Sequence, residues 1–143
     1  MTDAPVSFTI AAADDVVVLD LWEGTLPAFP PAIRALQVEP CRWWLIGAGT
    51  DAIDLAGSGA LAPVGGGLMR ATFTGAGWRW LLSVSGWLDT ESPVLAPGHI
   101  AASTIHHVPV WIAPAGDESC EVYLPGSYTA SLEDLWNHAI GTP

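Results

Sequence analysis

The sequence predicts an α+β domain in which two β/α modules follow one another and form a mostly antiparallel sheet with helices on one face. Three observations predict this class. Half of the 143 residues are hydrophobic and 13% are charged, a composition that favours a packed core over disorder. Short β-branched and aromatic runs between turn residues indicate several strands. Near the C-terminus, apolar residues at helical spacing indicate a helix. The length of the chain predicts a single domain over residues 1–143.

Residues 1–40 form an N-terminal segment with short elements. Two β-branched runs, residues 7–10 and 16–19, predict a pair of strands on either side of Asp14-Asp15. Residues 24–31 contain three prolines and predict a loop. Pro31 suits the first position of a helix, which we expect to continue through Leu36.

Residues 42–85 have stronger patterns. The run Trp43–Ile46 predicts a buried strand, and residues 51–56 predict a short helix that Thr50 caps. Residues 68–74 and 78–85 predict two further strands, because the glycine-rich residues 75–77 between them have the length of a hairpin loop.

The remaining sequence predicts three strands and a helix. The strands cover residues 101–107, 110–112 and 120–124. The helix carries one apolar stripe, formed by Tyr128, Leu132, Leu135, Trp136 and Ala139. Ser127 is its expected cap, and Gly141 is its expected end.

The charge distribution excludes several functions. Fifteen acidic residues, four arginines and no lysine give a net charge of −11, which repels nucleic acids and anionic membranes. Without lysine, no side-chain Schiff base can form. No apolar run approaches the roughly 20 residues that span a bilayer, and the start Met1-Thr2-Asp3 lacks the basic region of a signal peptide. We therefore expect a cytoplasmic protein.

Cysteines and histidines predict no metal site. Cys41 and Cys120 lie at the edges of apolar runs and are expected to be buried free thiols; a disulfide between them is the alternative, which an intracellular setting disfavours. His106 and His107 are neighbours in a predicted strand, so their side chains should face opposite ways and cannot bind one ion together.

Residues 47–52 fit the dinucleotide pattern G-x-G-x-x-[GA], after a predicted strand and before a predicted helix. Asp51 and Asp54 in the first turn of that helix would repel phosphates. The acid expected about 20 residues later is also missing, and Arg70 occurs there instead. A plain strand-to-helix turn is the favoured interpretation, and a dinucleotide site is the alternative.

Eight tryptophans are the strongest anomaly of the composition. Trp43, Trp80 and Trp136 are expected to fill the core. The remaining aromatics predict a protein interface, or alternatively a platform for a planar ligand. The interface candidates are Trp44, Trp78, Trp87 and Trp111.

From about Trp43 onward the sequence resembles the gamma subunit of heterotetrameric sarcosine oxidase. The resemblance lies in four segments, residues 81–86, 95–104, 108–112 and 121–132. This chain departs from the family in having Gly126 where an arginine is usual, and in a shorter N-terminus.

The resemblance implies a fold of two tandem ferredoxin-like modules, like the folate-binding aminomethyltransferase and tRNA-modification GTPase N-terminal domains. It implies a non-catalytic accessory subunit of an N-demethylating flavoenzyme complex. FAD, FMN, NAD and tetrahydrofolate would then belong to larger flavoprotein partners, with no catalytic residue and no cofactor in this chain. A homodimer is the expectation for the chain alone.

An alternative function is a stand-alone domain that binds a folate or another one-carbon carrier. Its only support in the sequence is an acid that could hold a pterin, either Asp89 or Glu91.

Overall fold

The structure, a computed structural model, describes residues 5–22, 29, 31–47, 59–63, 67–86 and 96–141. The chain divides into two compact units, residues 1–12 with 67–143 and residues 13–66. The described residues form nine strands and two α-helices, and every strand pairing among them is antiparallel. The predicted α+β class with a mostly antiparallel sheet is confirmed.

The elements are named in chain order. The strands are β1 Ser7–Ala12, β2 Val16–Leu21, β3 Arg34–Glu39, β4 Arg42–Ile46, β5 Gly59–Pro63, β6 Leu68–Thr74, β7 Ala101–Ile105, β8 Val108–Gly116 and β9 Ser119–Pro125. The helices are α1 Trp78–Gly86 and α2 Thr129–Gly141, and a 3-10 turn, Gly126–Tyr128, precedes α2. No helix of the described part is long and apolar enough to cross a bilayer.

The first unit is a five-stranded sheet in the order β1-β6-β9-β8-β7 with α1 and α2 packed on one face. Strand alternation directs Ala71, Phe73 and Val122 to that face, where they join the apolar stripes of the helices. Trp136 of α2 is fully buried in this core. The helices therefore cover a continuous apolar surface, as helices on one face of an antiparallel sheet require.

The second unit is a four-stranded sheet in the order β3-β4-β2-β5. Leu19, Leu21, Ile33 and Leu45 form a small buried cluster on one face of this sheet. Trp43 is half-buried and packs against the same cluster. The alternation of β2 and β4 thus supplies the apolar side chains that hold this smaller unit together.

The predicted strand over residues 78–85 is wrong, because these residues form α1. Trp78, Leu81 and Leu82 are all fully buried, and their spacing of three and four residues is helical. The glycine-rich residues 75–77 lead from β6 into this helix, where the amide of Leu81 donates to the carbonyl of Gly77 at 3.0 Å.

The predicted helix over residues 31–36 is also wrong. Residues 31–32 form a turn, and Arg34–Glu39 is strand β3, which pairs with β4 in a hairpin. Leu36 lies opposite Trp44 in this hairpin, and both side chains are buried. Pairing with β4 therefore outweighs the helix-starting preference of Pro31.

The first two predicted strands exist but do not pair with each other. Strand β1 pairs with β6, whereas β2 pairs with β4 and β5. The turn at Asp14-Asp15 passes the chain from one sheet to the other. Strand β5 has no counterpart in the predictions, and the predicted helix over residues 51–56 lies outside the described residues.

The C-terminal helix is confirmed, but it begins at Thr129 rather than after Ser127. Ser127 and Tyr128 belong to the preceding 3-10 turn, and Tyr128 is exposed. The hydroxyl of Thr129 donates to the carbonyl of Gly126 at 2.9 Å, which ties the turn to the start of the helix. Leu132 and Trp136 are the buried residues of the predicted stripe.

Candidate functional site

Two of the four interface candidates are buried. Trp78 has no exposed surface, and Trp44 is 7% exposed. Trp78 forms part of the first unit's core, and its Nε1 donates to the carbonyl of Asp117 at 3.1 Å. The guanidinium of Arg79 lies 4.4 Å from the centre of its ring system. An aromatic interface contact requires an exposed side chain, and neither Trp44 nor Trp78 is exposed.

Of the other two candidates, Trp111 is among the described residues and Trp87 is not. Trp111 lies on β8 and is half-buried. Its register partner on β9 is Tyr123, so its side chain lies on the sheet face opposite the helices. Trp87 lies outside the described residues, as do the folate candidates Asp89 and Glu91.

That second face of the five-stranded sheet carries a polar group, which we call the Arg70 cluster and which consists of Arg70, Glu121 and Tyr123. Arg70 Nε donates to the hydroxyl of Tyr123 at 3.1 Å, and this hydroxyl donates to Glu121 Oε1 at 3.1 Å. Arg70 Nε lies 3.7 Å from Glu121 Oε2. The arginine also stacks on the phenol, with Cζ 5.1 Å from the ring centre.

Strand register explains how the Arg70 cluster forms. Arg70 on β6 lies directly opposite Tyr123 on β9, and Glu121 is two residues from Tyr123 on the same face. The charged side chains are only 18% exposed, so their mutual neutralisation lowers the cost of burial. The cluster orients the phenol by two hydrogen bonds and balances its own charge.

An exposed tryptophan that the sequence analysis did not select lies in the second unit. Trp22 follows the end of β2 and is 64% exposed. Residues 20–22 and 39–42 line an open cleft of about 670 Å³ beside it, which we call the Trp22 cleft. A large exposed aromatic next to a concave surface is typical of a binding anchor.

Charged groups form the rim of the Trp22 cleft. Arg42 Nε donates to Asp20 Oδ1 at 2.8 Å, and another guanidinium nitrogen lies 3.5 Å from Glu39 Oε2. The hydrogen bond to Asp20 and the negative charges of Asp20 and Glu39 raise the pKa of Arg42 above its ordinary value. The side chains that line the cleft therefore carry charges of both signs.

A period of two residues could have found Trp22. Leu19 and Leu21 are buried, so alternation directs the intervening Asp20 and the following Trp22 to the other side. The sequence analysis missed this alternation because the proline-rich residues 24–31 placed Trp22 at the boundary of a predicted loop.

The burial of one cysteine and the secondary structure at the two adjacent histidines differ from the predictions. Both cysteines are free, but Cys41 is exposed and only Cys120 is buried. Burial raises the pKa of the Cys120 thiol, and the charge of Glu121 adds to this effect. His106 and His107 lie in the turn between β7 and β8 with φ of 48° and 67°, not in a strand. Among the described residues, no three potential metal ligands come together.

Gly47, the first glycine of the dinucleotide pattern, has a packing role. Its φ is +134°, and a Cβ atom at this position would lie 2.3 Å from the carbonyl oxygen of Ala32. Its amide donates to the carbonyl of Asp15 at 3.3 Å. Close backbone contact therefore explains this glycine, and residues 48–52 of the pattern lie outside the described residues.

Comparison with known proteins gives a structural likeness. No protein-family model matches the sequence, and no curated protein matches it. Among the solved structures that match is the heterotetrameric sarcosine oxidase from Corynebacterium sp. U-96 in complex with pyrrole 2-carboxylate. One of its chains aligns with a TM-score of 0.69 and 13% sequence identity, over 94% of this chain and 84% of that chain. The resemblance to sarcosine oxidase is thus confirmed at the level of the fold.

Proposed function

We propose that this chain is a non-catalytic accessory subunit of a sarcosine-oxidase-like flavoenzyme complex that demethylates an N-methyl amino acid. The observation that carries the proposal is the fold likeness over 94% of this chain and 84% of a chain of a heterotetrameric sarcosine oxidase. The likeness extends over most of both chains. The gamma-subunit resemblance of the sequence after Trp43 supports the accessory role.

In the proposed complex, larger flavoprotein subunits hold FAD, FMN, NAD and tetrahydrofolate, and this chain contributes surface. The flavin would accept the electrons of the N-methyl group, and tetrahydrofolate would take up the released one-carbon unit. The proposed location of the complex is the cytoplasm. The acidic character of this chain, with a net charge of −11, favours a partner surface of positive charge.

The Trp22 cleft is the proposed contact with a larger subunit. Trp22 has the largest exposed fraction of the large hydrophobic side chains that the structure describes as exposed. Protein interfaces commonly combine a tryptophan anchor with a charged rim, and Arg42 with Asp20 and Glu39 supplies such a rim. The cleft replaces Trp44 and Trp78 as the proposed aromatic contact, because those two side chains are buried.

Co-expression tests the proposal. The tagged chain is produced with the flavoprotein subunits encoded alongside it, and the purified material is separated by size-exclusion chromatography. We expect the chain to elute with the flavoproteins, in fractions that carry flavin absorbance. Elution of the chain only as a free monomer contradicts the proposal.

Two variants test the contact surface. Trp22→Ala should weaken assembly by about 2 kcal/mol, roughly thirtyfold in the dissociation constant. Val84→Ala is the matched control, since Val84 is 53% exposed on α1 in the other unit. Equal losses for both variants, or no loss for Trp22→Ala, would contradict the assignment of the contact to the Trp22 cleft.

The stand-alone folate-binding function is tested on the isolated chain. Tetrahydrofolate is titrated while tryptophan fluorescence is recorded, with Asp89→Asn and Glu91→Gln as variants of the proposed pterin acids. Saturable quenching that these variants weaken favours a folate-binding domain over an accessory subunit without ligand. The absence of quenching at high micromolar ligand removes this alternative.

A further inference from the structure

The two walls of the Trp22 cleft are fixed by backbone pairing within the second unit. Asp20 on β2 lies directly opposite Arg42 on β4, and the amide of Leu21 donates to the carbonyl of Cys41 at 2.9 Å. Asp20 and Trp22, two residues apart in the chain, both line the cleft. A carboxylate and an indole ring therefore border the same space before any partner binds, which lowers the cost of ordering them on binding.

Negative charge predominates among the side chains of the cleft. Two carboxylates, those of Asp20 and Glu39, accompany a single guanidinium, that of Arg42. The side chains of Asp20 and Glu39 remain 38% and 63% exposed, so a partner can reach both. The cleft thus carries one negative charge in excess, and charge complementarity favours a cation as its occupant.

The face of the Trp22 indole ring is open to such a cation. Elsewhere in the chain, arginines stack on aromatic rings, Arg70 on Tyr123 and Arg79 on Trp78, with 5.1 and 4.4 Å between Cζ and the ring centre. Among the residues that the structure describes, no such contact is made to Trp22, which is 64% exposed. An exposed indole beside carboxylates attracts a cation to its ring face.

A second copy of this chain is poorly suited to supply the cation. The sequence holds four arginines and no lysine. Three of the arginines are engaged with Asp20, Glu121 and the ring of Trp78, and Arg34 also has an interaction within the chain. Two copies, each with a net charge of −11, would in addition repel each other. The cation is therefore expected from a different molecule.

The form of the cleft favours an amino-acid side chain of a protein over a free small molecule. A second concave surface of about 410 Å³, lined by residues 37–40, adjoins the open cleft at Glu39 and Pro40. A small-molecule pocket surrounds most of its ligand, whereas an open surface that continues beyond one cavity suits a protein. The planar guanidinium of arginine stacks on an indole and still donates to carboxylates, which the compact ammonium of lysine does less well.

We infer that the Trp22 cleft binds an arginine side chain of the partner protein. The guanidinium lies over the indole ring of Trp22 and donates to the carboxylates of Asp20 and Glu39, so that two guanidiniums, with that of Arg42, balance two carboxylates. The inference rests on the proposed role of the Trp22 cleft as a protein contact, and it adds the residue that the partner contributes.

The probe is a short blocked peptide with one arginine between glycines, and its control is the citrulline peptide, which has nearly the same shape without the charge. Each is titrated into the full chain while NMR follows the backbone amides and the Trp22 indole signal, which is assigned by its loss in Trp22→Phe. We expect saturable shifts at the cleft residues with the arginine peptide at millimolar concentration. The affinity for the citrulline peptide should be about fivefold lower or less.

Three variants separate the roles of the ring, the local charge and the net charge. Trp22→Leu removes the ring and should weaken binding of the arginine peptide roughly threefold or more. Glu39→Gln should weaken it roughly twofold. Glu133→Gln is the matched control, because Glu133 is exposed on α2 in the other unit and its loss changes the net charge equally. It should leave the affinity unchanged.

Several results would overturn the inference. Equal affinity for the arginine and citrulline peptides, or no binding at high millimolar concentration, does so directly. Equal binding of a lysine peptide overturns the choice of arginine, and equal effects of Glu39→Gln and Glu133→Gln show that the attraction depends on net charge alone. The proposed function survives each of these results, since the chain can still elute with the flavoproteins. Failure of that assembly, in turn, leaves the outcome of the peptide titration unaffected.

Discussion

The ring systems of Phe73 and Trp136 meet edge to face, with centroids 4.9 Å apart and planes inclined by 86°. Both side chains are completely buried. The contact joins the C-terminal helix α2 to strand β6, the neighbour of the edge strand β1. Aromatic pairs in this geometry add to the stabilisation that burial of their area provides. It is therefore a central packing contact of the first unit.

Truncation at this contact should destabilise the protein strongly. We expect Trp136→Ala to lower the free energy of unfolding by about 3–5 kcal/mol, because it leaves a cavity beneath α2. Ile140→Ala on the same helix is the control, since Ile140 is partly exposed and should change stability by about 0.5 kcal/mol or less. Urea denaturation followed by circular dichroism measures both. Similar losses in the two variants would contradict the central role of Trp136.

Truncation of the buried Trp78 should lower the stability of the protein much more than truncation of the exposed Trp22. Trp78→Ala removes a buried ring and its hydrogen bond to Asp117, so we expect a loss of about 3–5 kcal/mol in unfolding free energy. Trp22→Ala should change it by about 0.5 kcal/mol or less, because Trp22 is exposed. Thermal and urea unfolding give the comparison. A stable Trp78→Ala protein would restore Trp78 as an interface candidate.

The two arginine ion pairs should differ in their contribution to stability. Arg70→Met leaves Glu121 with little solvent and without its cation, and we expect a loss of about 2–3 kcal/mol. Arg42→Met breaks pairs that are about half exposed, and we expect a clearly smaller loss of stability. Urea unfolding at low and high salt measures both, and only the Arg42 effect should weaken with salt. Equal losses would mean that the Arg70 cluster is not better shielded than the surface pair.

The two thiols should react differently. At about pH 8.5, near the ordinary thiol pKa, we expect iodoacetamide to modify the exposed Cys41 and to leave the buried Cys120 unmodified. Mass spectrometry of the native protein identifies the labelled cysteine. Labelling of Cys120 before unfolding would show that the core opens there.

The raised pKa of Cys120 also sets a pH dependence. The folded state retains the thiol proton, whereas the unfolded chain releases it above about pH 8.5. The unfolded state then binds fewer protons, so the free energy of unfolding falls as pH rises through this range. Cys120→Ala should remove this part of the pH slope, and Cys41→Ala should not. An unchanged slope in Cys120→Ala would contradict the assignment.

The elements that the sequence predicted correctly are those whose pattern lies within a few neighbouring residues. The β-branched run of residues 16–19 lies within β2, and the apolar stripe from Leu132 to Ala139 lies within α2. The prediction of a strand over residues 78–85 was wrong because it relied on the hairpin length of residues 75–77, while the helical spacing of Trp78, Leu81 and Leu82 was the better signal. For the candidate site, Trp22 was overlooked because the proline-rich residues 24–31 placed it at the boundary of a predicted loop.

The sequence by itself determined the α+β class, the final helix and the acidic, lysine-free surface, since composition and periodicity act over neighbouring residues. Only the tertiary structure decided that β1 pairs with β6 rather than β2, and which tryptophans are buried. The physical reason is that strand partners and burial depend on contacts between residues far apart in the chain, and short alternating strands are compatible with many such partners.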